Sequence, residues 1–195
     1  MLLFIGFIVL ISASAQHTGK VLEQRTIKSN TLGRNVKYSV YLPADYDQSE
    51  RAYPVVYLLH GYTDDNTGWL QFGEINRYAD KAIAEGLIPS MVIVMPNADS
   101  SWYINSYDGK EKYEDFFIKE FIPGIEKTYR IKGEKRYRGI AGDYSDVLLA
   151  LSHDSVLQRA GSADESDRGN QDCRRVTQRR SVGGDQPRTA RPAVI

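Results

Sequence analysis

The chain has 195 residues, with 25 basic side chains balanced by 25 acidic ones and a hydrophobic share of 42%. The balance excludes a general polyanion binder, and the length and apolar share are those of one globular domain. Cys173 is the single cysteine, which excludes a disulfide within the chain and a cysteine metal cluster.

Residues 1–15 form an apolar run closing on Ala13-Ser14-Ala15, the small-x-small pattern of a signal-peptidase site. The run is too short to span a bilayer, so the expectation is export to the periplasm or medium, with no stable membrane span after cleavage. Val21 to Lys28 and Val36 to Leu42 each alternate apolar and polar residues across a turn-like stretch containing Gly33, which predicts an antiparallel hairpin. Tyr53 to Leu59 is a continuous apolar run of strand length, as expected of a strand covered on both faces, and it ends in His60-Gly61. Ile75 to Ala84 carries apolar residues at helical spacing with Gly86 as a stop, and predicts a crossover helix. Met91 to Met95 is a second buried strand. Tyr113 to Tyr129 reads as a helix kinked at Pro123. Tyr137 to Ala141 is the third strand, followed by the turn Asp143-Tyr144-Ser145-Asp146 and an apolar helical stretch from Val147. The order implies an α/β fold with an N-terminal hairpin and a mostly parallel sheet. In such sheets ligand chemistry gathers at the carboxyl ends of the strands, here His60 to Trp69, Pro96 to Asp108 and Gly142 to Asp146.

Four stretches on or beside those ends carry a resemblance. They are Y-P-V-V-Y-L-L-H-G-Y-T-D-D-N-T-G-W from Tyr53, V-I-V-M-P-N-A-D from Val92, D-G-K-E-K-Y-E-D-F-F-I-K-E-F-I-P-G-I-E-K-T-Y from Asp108, and R-Y-R-G-I-A-G from Arg136. In this order they resemble the esterase branch of the α/β-hydrolases, the group containing esterase D and feruloyl esterase domains. The resemblance implies a serine carboxylesterase that uses no cofactor and acts on a small-molecule or polysaccharide-linked ester. A serine in the strand-turn-helix elbow attacks the carbonyl, a histidine takes its proton, an aspartate orients the histidine, and backbone amides hold the oxyanion. By position one such amide is that of Tyr62, after His60-Gly61. His60 itself matches a packing position in the oxyanion loop rather than the base. Trp69 and Trp102 fit either a substrate cleft or core packing. Asp65 and Asp108, with Asp64, fit either cleft and cation contacts or loop capping.

The chain departs from the family at the elbow. Family members read A-G-L-S-M-G-G-Y there, whereas Ala141-Gly142 is followed by Asp143 and Tyr144, and the family helix resumes at Leu148-Leu149-Ala150-Leu151. Asp143 stands where five residues, including the nucleophile, are expected. Ser145 is the one replacement candidate, and its neighbours two positions away, Asp143 and Val147, are not the small residues an elbow needs. After His153 the composition changes: all thirteen tyrosines precede it, and residues 154–195 hold eight arginines and six acids but no lysine and no aromatic. Such a mixed-charge, weakly apolar segment does not repay its ordering entropy, so a disordered tail is expected. The residues where the family places its later aspartate and histidine match neither motif.

The reading is therefore a signal peptide over 1–15, a shortened and incomplete α/β-hydrolase domain over 16–153 and a tail over 154–195. Two functions follow, an esterase-like protein without an intact triad or a non-catalytic carbohydrate- or ester-binding module. A nucleic-acid contact by the tail is disfavoured by its small net charge and lack of stacking aromatics. The sequence indicates no oligomeric state. A short in-frame loss at the elbow followed by a shift of reading frame after His153 accounts for both departures. Translation of the DNA beyond codon 153 in the other two frames is expected to restore a strand-helix pattern in one of them, and its absence from both excludes the shift.

Overall fold

The computed structural model describes residues 18–142 and 158–159. Six strands form one sheet: β1 (Lys20–Lys28), β2 (Asn35–Leu42), β3 (Val55–Leu58), β4 (Val92–Pro96), β5 (Arg138–Ala141) and β6 (Gln158–Arg159), in spatial order β1-β2-β4-β3-β5-β6. The β1–β2 hairpin and the β2–β4 pair are antiparallel, while β4–β3, β3–β5 and β5–β6 are parallel. The hairpin and the three strands expected from the sequence are all present. β6 differs from the disordered tail expected over 154–195: Gly139 and Ile140 pair with Gln158 and Arg159. The residues read as a signal peptide and nearly all of those read as the tail lie outside the described residues.

Both faces of β3 and β4 are covered, which is why they read as unbroken apolar runs. On one face Val55, Tyr57, Leu59, Val92 and Val94 pack with Phe116, Phe117, Phe121, Ile122 and Ile125. On the other, Leu58, Ile93 and Met95 join Tyr41 and Ala79, flanked by Trp69, Leu70, Ile75 and Ile83. Each fully buried Leu, Ile, Val or Phe contributes about 1.5–3 kcal/mol. Helix α1 (Gly68–Gln71) and helix α2 (Ile75–Ala84) follow β3. α2 has the predicted bounds. Its end is a Schellman closure, with Gly86 at φ +69°, Leu87 N–H on the Ala82 carbonyl and Gly86 N–H on that of Ile83.

The segment from Tyr113 differs from the predicted kinked helix. It comprises α3 (Tyr113–Phe116), a π-helical turn over Phe117–Phe121, and α4 (Ile122–Thr128). Proline has no N–H to return to residue 119, so the helix widens by one residue: Ile122 N–H bonds the Phe117 carbonyl, and Pro123 falls in the first turn of α4, where no donor is needed. The widened turn buries Phe116, Phe117 and Phe121 together, the last two stacked at 5.5 Å.

It also sets Glu120 against the β1–β2 turn. Its carboxylate accepts from Ser29 Oγ at 2.8 Å, Asn30 N–H at 3.0 Å, Thr31 N–H at 3.0 Å and Thr31 Oγ at 2.8 Å. Partial burial works to raise this carboxyl, and the hydrogen bonds of residues 29–31 outweigh it, so it titrates below the usual glutamate range. A depressed folded value means that the clamp stabilises fully above the unfolded glutamate value of about 4.3 and is lost as pH falls through the folded value. Glu120→Gln is therefore expected to unfold at lower temperature than wild type at pH 7, with the gap closing below about pH 4. Thermal melts at the two pH values check this, and a gap that persists in acid overturns it.

Candidate active-site face

Because β3, β4 and β5 are parallel, the segments leaving them emerge at one edge of the sheet. β3 and β5 stay joined one step further, through Leu59 N–H on the Ala141 carbonyl at 2.8 Å. Gly142 comes next at φ +150°, and a Cβ there would lie 2.4 Å from the Leu59 carbonyl oxygen. Only glycine fits this approach. Ser145 and the rest of the elbow turn lie outside the described residues.

His60 joins the loop after β3 to the loop after β4. It is 3% exposed, and its Nε2 accepts from Ala98 N–H at 3.0 Å. A nitrogen that accepts carries no proton, so the proton sits on Nδ1, which donates to the Gly61 carbonyl at 2.8 Å. Asp64 N–H bonds the same carbonyl at 3.2 Å. In a planar trans peptide the C=O and N–H point opposite ways, so pinning the Gly61 oxygen toward His60 turns the Tyr62 N–H away from it. Among the described residues no acceptor takes that amide. His60 is thus buried and bonded at both ring nitrogens, and its Nε2 is not free to take a proton from a nucleophile.

Tyr103 completes this web, and sequence reasoning missed it. Its buried hydroxyl accepts from His60 N–H at 2.9 Å and faces the Pro96 carbonyl at 3.4 Å. The loop holding it is strained: Asp99, Trp102 and Tyr103 have φ of +50°, +56° and +60°. Residues outside glycine in this region cost of order 1 kcal/mol or more each and persist where their surroundings hold them. Here the holding contacts are the Tyr103 hydroxyl bonds, Tyr113 Oη on the Asn97 carbonyl at 2.9 Å, and edge-to-face packing of the two tyrosine rings. An isolated tyrosine in a turn-rich loop carries no periodic signal, so only the three-dimensional contact identifies it.

The remaining predicted residues separate. Tyr62 and Trp102 stack at 4.9 Å with a 10° interplanar angle, both about half exposed. They form an aromatic platform where the two loops meet. Trp69 packs instead against the Tyr41–Leu58–Ile93 cluster, with its indole N–H on the Leu59 carbonyl at 2.9 Å. Asp65 closes the turn into α1: its Oδ1 accepts from Thr67 Oγ and Thr67 N–H, both at 2.7 Å, and those bonds hold its carboxyl below the usual range. Asp64 likewise accepts from the Asp65 amide at 2.8 Å. Asp108 accepts from Ser106 Oγ at 2.7 Å and Lys110 N–H at 3.1 Å, and its carboxyl is held low by Ser106 first and Lys110 second. All three side chains are engaged in loop structure. Among the described residues, no three His, Cys, Asp or Glu side chains are grouped to hold a metal.

Tyr103→Phe removes an acceptor from a buried amide and preserves ring volume. It is expected to cost about 1–3 kcal/mol, the usual penalty for a stranded buried donor. Urea unfolding at neutral pH measures it, and an unchanged midpoint shows that the web does not hold the loops.

With this geometry in place, the relatives become informative. The family described as "Putative esterase" matches residues 29–161. The endo-1,4-beta-xylanase/feruloyl esterase of Xylanibacter ruminicola is 32% identical over 128 residues, which is 62% of this chain and 18% of that protein. An esterase of Mycobacterium tuberculosis is 33% identical over 119 residues, 59% of this chain and 25% of its own length. The solved structure of a ferulic acid esterase superposes with a TM-score of 0.68 at 34% identity, covering 72% of this chain and 56% of that one. The chain thus spans a quarter or less of the curated relatives it matches. Sheet order and family match agree, and the chain belongs to the esterase family of the α/β-hydrolases.

Proposed function

We propose that this chain is an exported carboxylesterase-like protein, of a lineage acting on feruloyl- or acetyl-type esters, that has lost the chemical step. The observation carrying the proposal is the residue after Gly142. The strand approaches Leu59 so closely there that only glycine fits, and the turn that follows is Asp143-Tyr144-Ser145-Asp146 instead of small residues around a serine. The outward-turned Tyr62 amide and the aromatic platform of Tyr62 and Trp102 support reading these loops as the upstream parts of an acyl-transfer site. Oxyanion donors act on charge that develops only after a nucleophile attacks, so without the serine they have nothing to stabilise. Losing the serine costs such an enzyme about a million-fold, roughly 8 kcal/mol of transition-state stabilisation.

A second reading, a non-catalytic module that holds a carbohydrate or an ester, is favoured by the exposure of that platform. A stack of two half-exposed aromatic rings is retained at some solvation cost, and a ligand that covers it recovers the cost. The two readings part on folding and binding.

The full chain is expected to hydrolyse p-nitrophenyl acetate and methyl ferulate no faster than a heat-treated control. Turnover well above that control overturns the loss of chemistry. A cooperative thermal transition in the inactive chain favours the binding module, and a featureless melt counts against it.

A further inference from the structure

The parallel strands have two ends, and the candidate site occupies one of them. At the other, the segment leaving α4 runs beside the start of β3: Tyr53 bridges Ile131, Tyr53 N–H bonds the Arg130 carbonyl and Lys132 N–H bonds the Tyr53 carbonyl, both at 2.9 Å. A single turn, Lys135–Tyr137, then leads into β5. The four residues of β3 put this edge roughly 13 Å or more from the loops that follow the strands. Residues 127–138 carry six basic side chains and one acidic, Glu134. The neutrality of the chain is a sum over the whole molecule, and this edge departs from it.

Neighbouring carboxylates answer only part of the charge. Arg138 is committed to Glu126, each side chain 15% exposed, and to the Gly133 carbonyl. Arg136 meets Glu134 at 2.9 Å, but both are exposed, and an exposed pair holds its partners loosely. The adjoining segment holds Asp45, Asp47 and Glu50. Asp45 takes Arg51 and Asp47 takes Lys20, so Glu50 is the acid there set against the surplus. Among the described residues no carboxylate pairs with Arg130 or Lys132. They rest on rings instead: the Arg130 guanidinium stands 4.0 Å from the centre of Tyr46, with Nη2 on the Tyr46 carbonyl, and Lys132 Nζ stands 4.3 Å from the centre of Tyr137, a ring that Arg136 also approaches at 4.8 Å. A ring face fixes where a cation stands and leaves its charge uncancelled.

This arrangement selects the partner. Arg130 and Lys132 stand on different rings, which spreads the charge along the edge and suits a broad anionic face better than one small anion. The rings themselves are occupied by cations, which disfavours a nucleic acid that needs an open ring to stack on. None of the large hydrophobic side chains exposed among the described residues lies on this edge, so nothing here enters an acyl layer. Attraction by charge alone to a broad anionic face fits the headgroup plane of a bilayer. We propose that this edge docks the protein on membranes rich in anionic phospholipid, by electrostatics and without insertion, and leaves the candidate site at the far end of the strands turned to solvent. The proposal goes beyond the esterase reading and does not rest on it.

The test is co-sedimentation of the full chain with vesicles of phosphatidylcholine alone and of phosphatidylcholine with about 30% phosphatidylglycerol, each at about 25 mM and about 300 mM salt. Saturable binding is expected to the anionic vesicles at low salt, with loss at high salt and none to the neutral vesicles. Lys132→Gln and Arg136→Gln are each expected to weaken it about fivefold, the share of one cation at an anionic surface, and Lys132→Arg, which keeps the charge, to preserve it. The Arg136 side chain is exposed, so its variant keeps the wild-type melt and separates lost binding from lost folding. Lys110→Gln removes the same charge at the candidate-site end and is expected to leave binding unchanged. No binding to the anionic vesicles, equal binding to neutral ones, equal losses in the Lys110 and Lys132 variants, or tighter binding of dextran sulfate per anionic charge overturns the proposal. Sedimentation reads no hydrolysis, so a negative result leaves the esterase reading standing, and the nitrophenyl acetate assay decides that reading by itself.

Discussion

The structure of the candidate site depends on one orientation, that of the peptide between Gly61 and Tyr62. Its carbonyl is drawn inward by His60 Nδ1 and by the Asp64 amide, and its N–H is thereby sent outward. The imidazole is itself fixed from the far side, because Nε2 accepts the Ala98 amide from the loop after β4. A buried imidazole with both nitrogens satisfied has one tautomer and one ring orientation open to it. It transmits the position of one strand end to the next, together with the Tyr103 hydroxyl on the His60 amide and the Tyr62–Trp102 stack. The same bonds explain why a histidine at the mouth of an esterase-like fold is not its base: the lone pair needed to take a proton is already occupied.

A second line of support runs from the opposite end of the molecule. Pro123 denies the preceding turn a donor, the helix widens to a π turn, and Glu120 in that turn clamps the backbone of residues 30 and 31. That turn leads into Arg34, which lines a cavity beneath the β4 loop. A helix defect whose Glu120 lies 89 and 90 positions from the backbone amides it clamps thus fixes where a surface guanidinium sits. Its energetic weight is modest because the contacts are partly solvated, and its geometric weight is larger because an unclamped turn would leave Arg34 free to follow Glu111 and Asp99 wherever that loop moved.

The sheet and α2 were legible in the sequence for a definite reason. β3 and β4 are covered on both faces, so every residue had to be apolar, and α2 has one dry face and a terminating glycine. What was not legible depended on partners distant in the chain. Pro123 was read as a kink because the local sequence does not say whether a helix bends or widens around it. Trp69 and Trp102 were equivalent as letters, and only packing separates the indole held by the Leu59 carbonyl from the one stacked on Tyr62. Arg34 lay in a stretch read simply as a turn, and its association with Glu111 spans 77 positions. Tyr103 was hidden in the same way, since its importance rests on the His60 amide, 43 residues earlier.

Positioning and chemistry are separable in such a fold, and this chain divides them along the sequence. On the proposed reading, the parts that would orient a substrate are built by β3, β4 and their loops, all upstream of Gly142. On the same reading, the family's bond-breaking residues would begin with the residue after it. Binding energy that is equal in the ground and transition states accelerates nothing, so a cleft can keep its platform and oxyanion donor while its rate falls to that of the solvent reaction. Conversely, the close contact of Gly142 with Leu59 limits what can be rebuilt. A serine placed at Asp143 alone would lack the small neighbours that let an elbow turn sharply, and the one histidine among the described residues, His60, is already committed to Gly61 and Ala98.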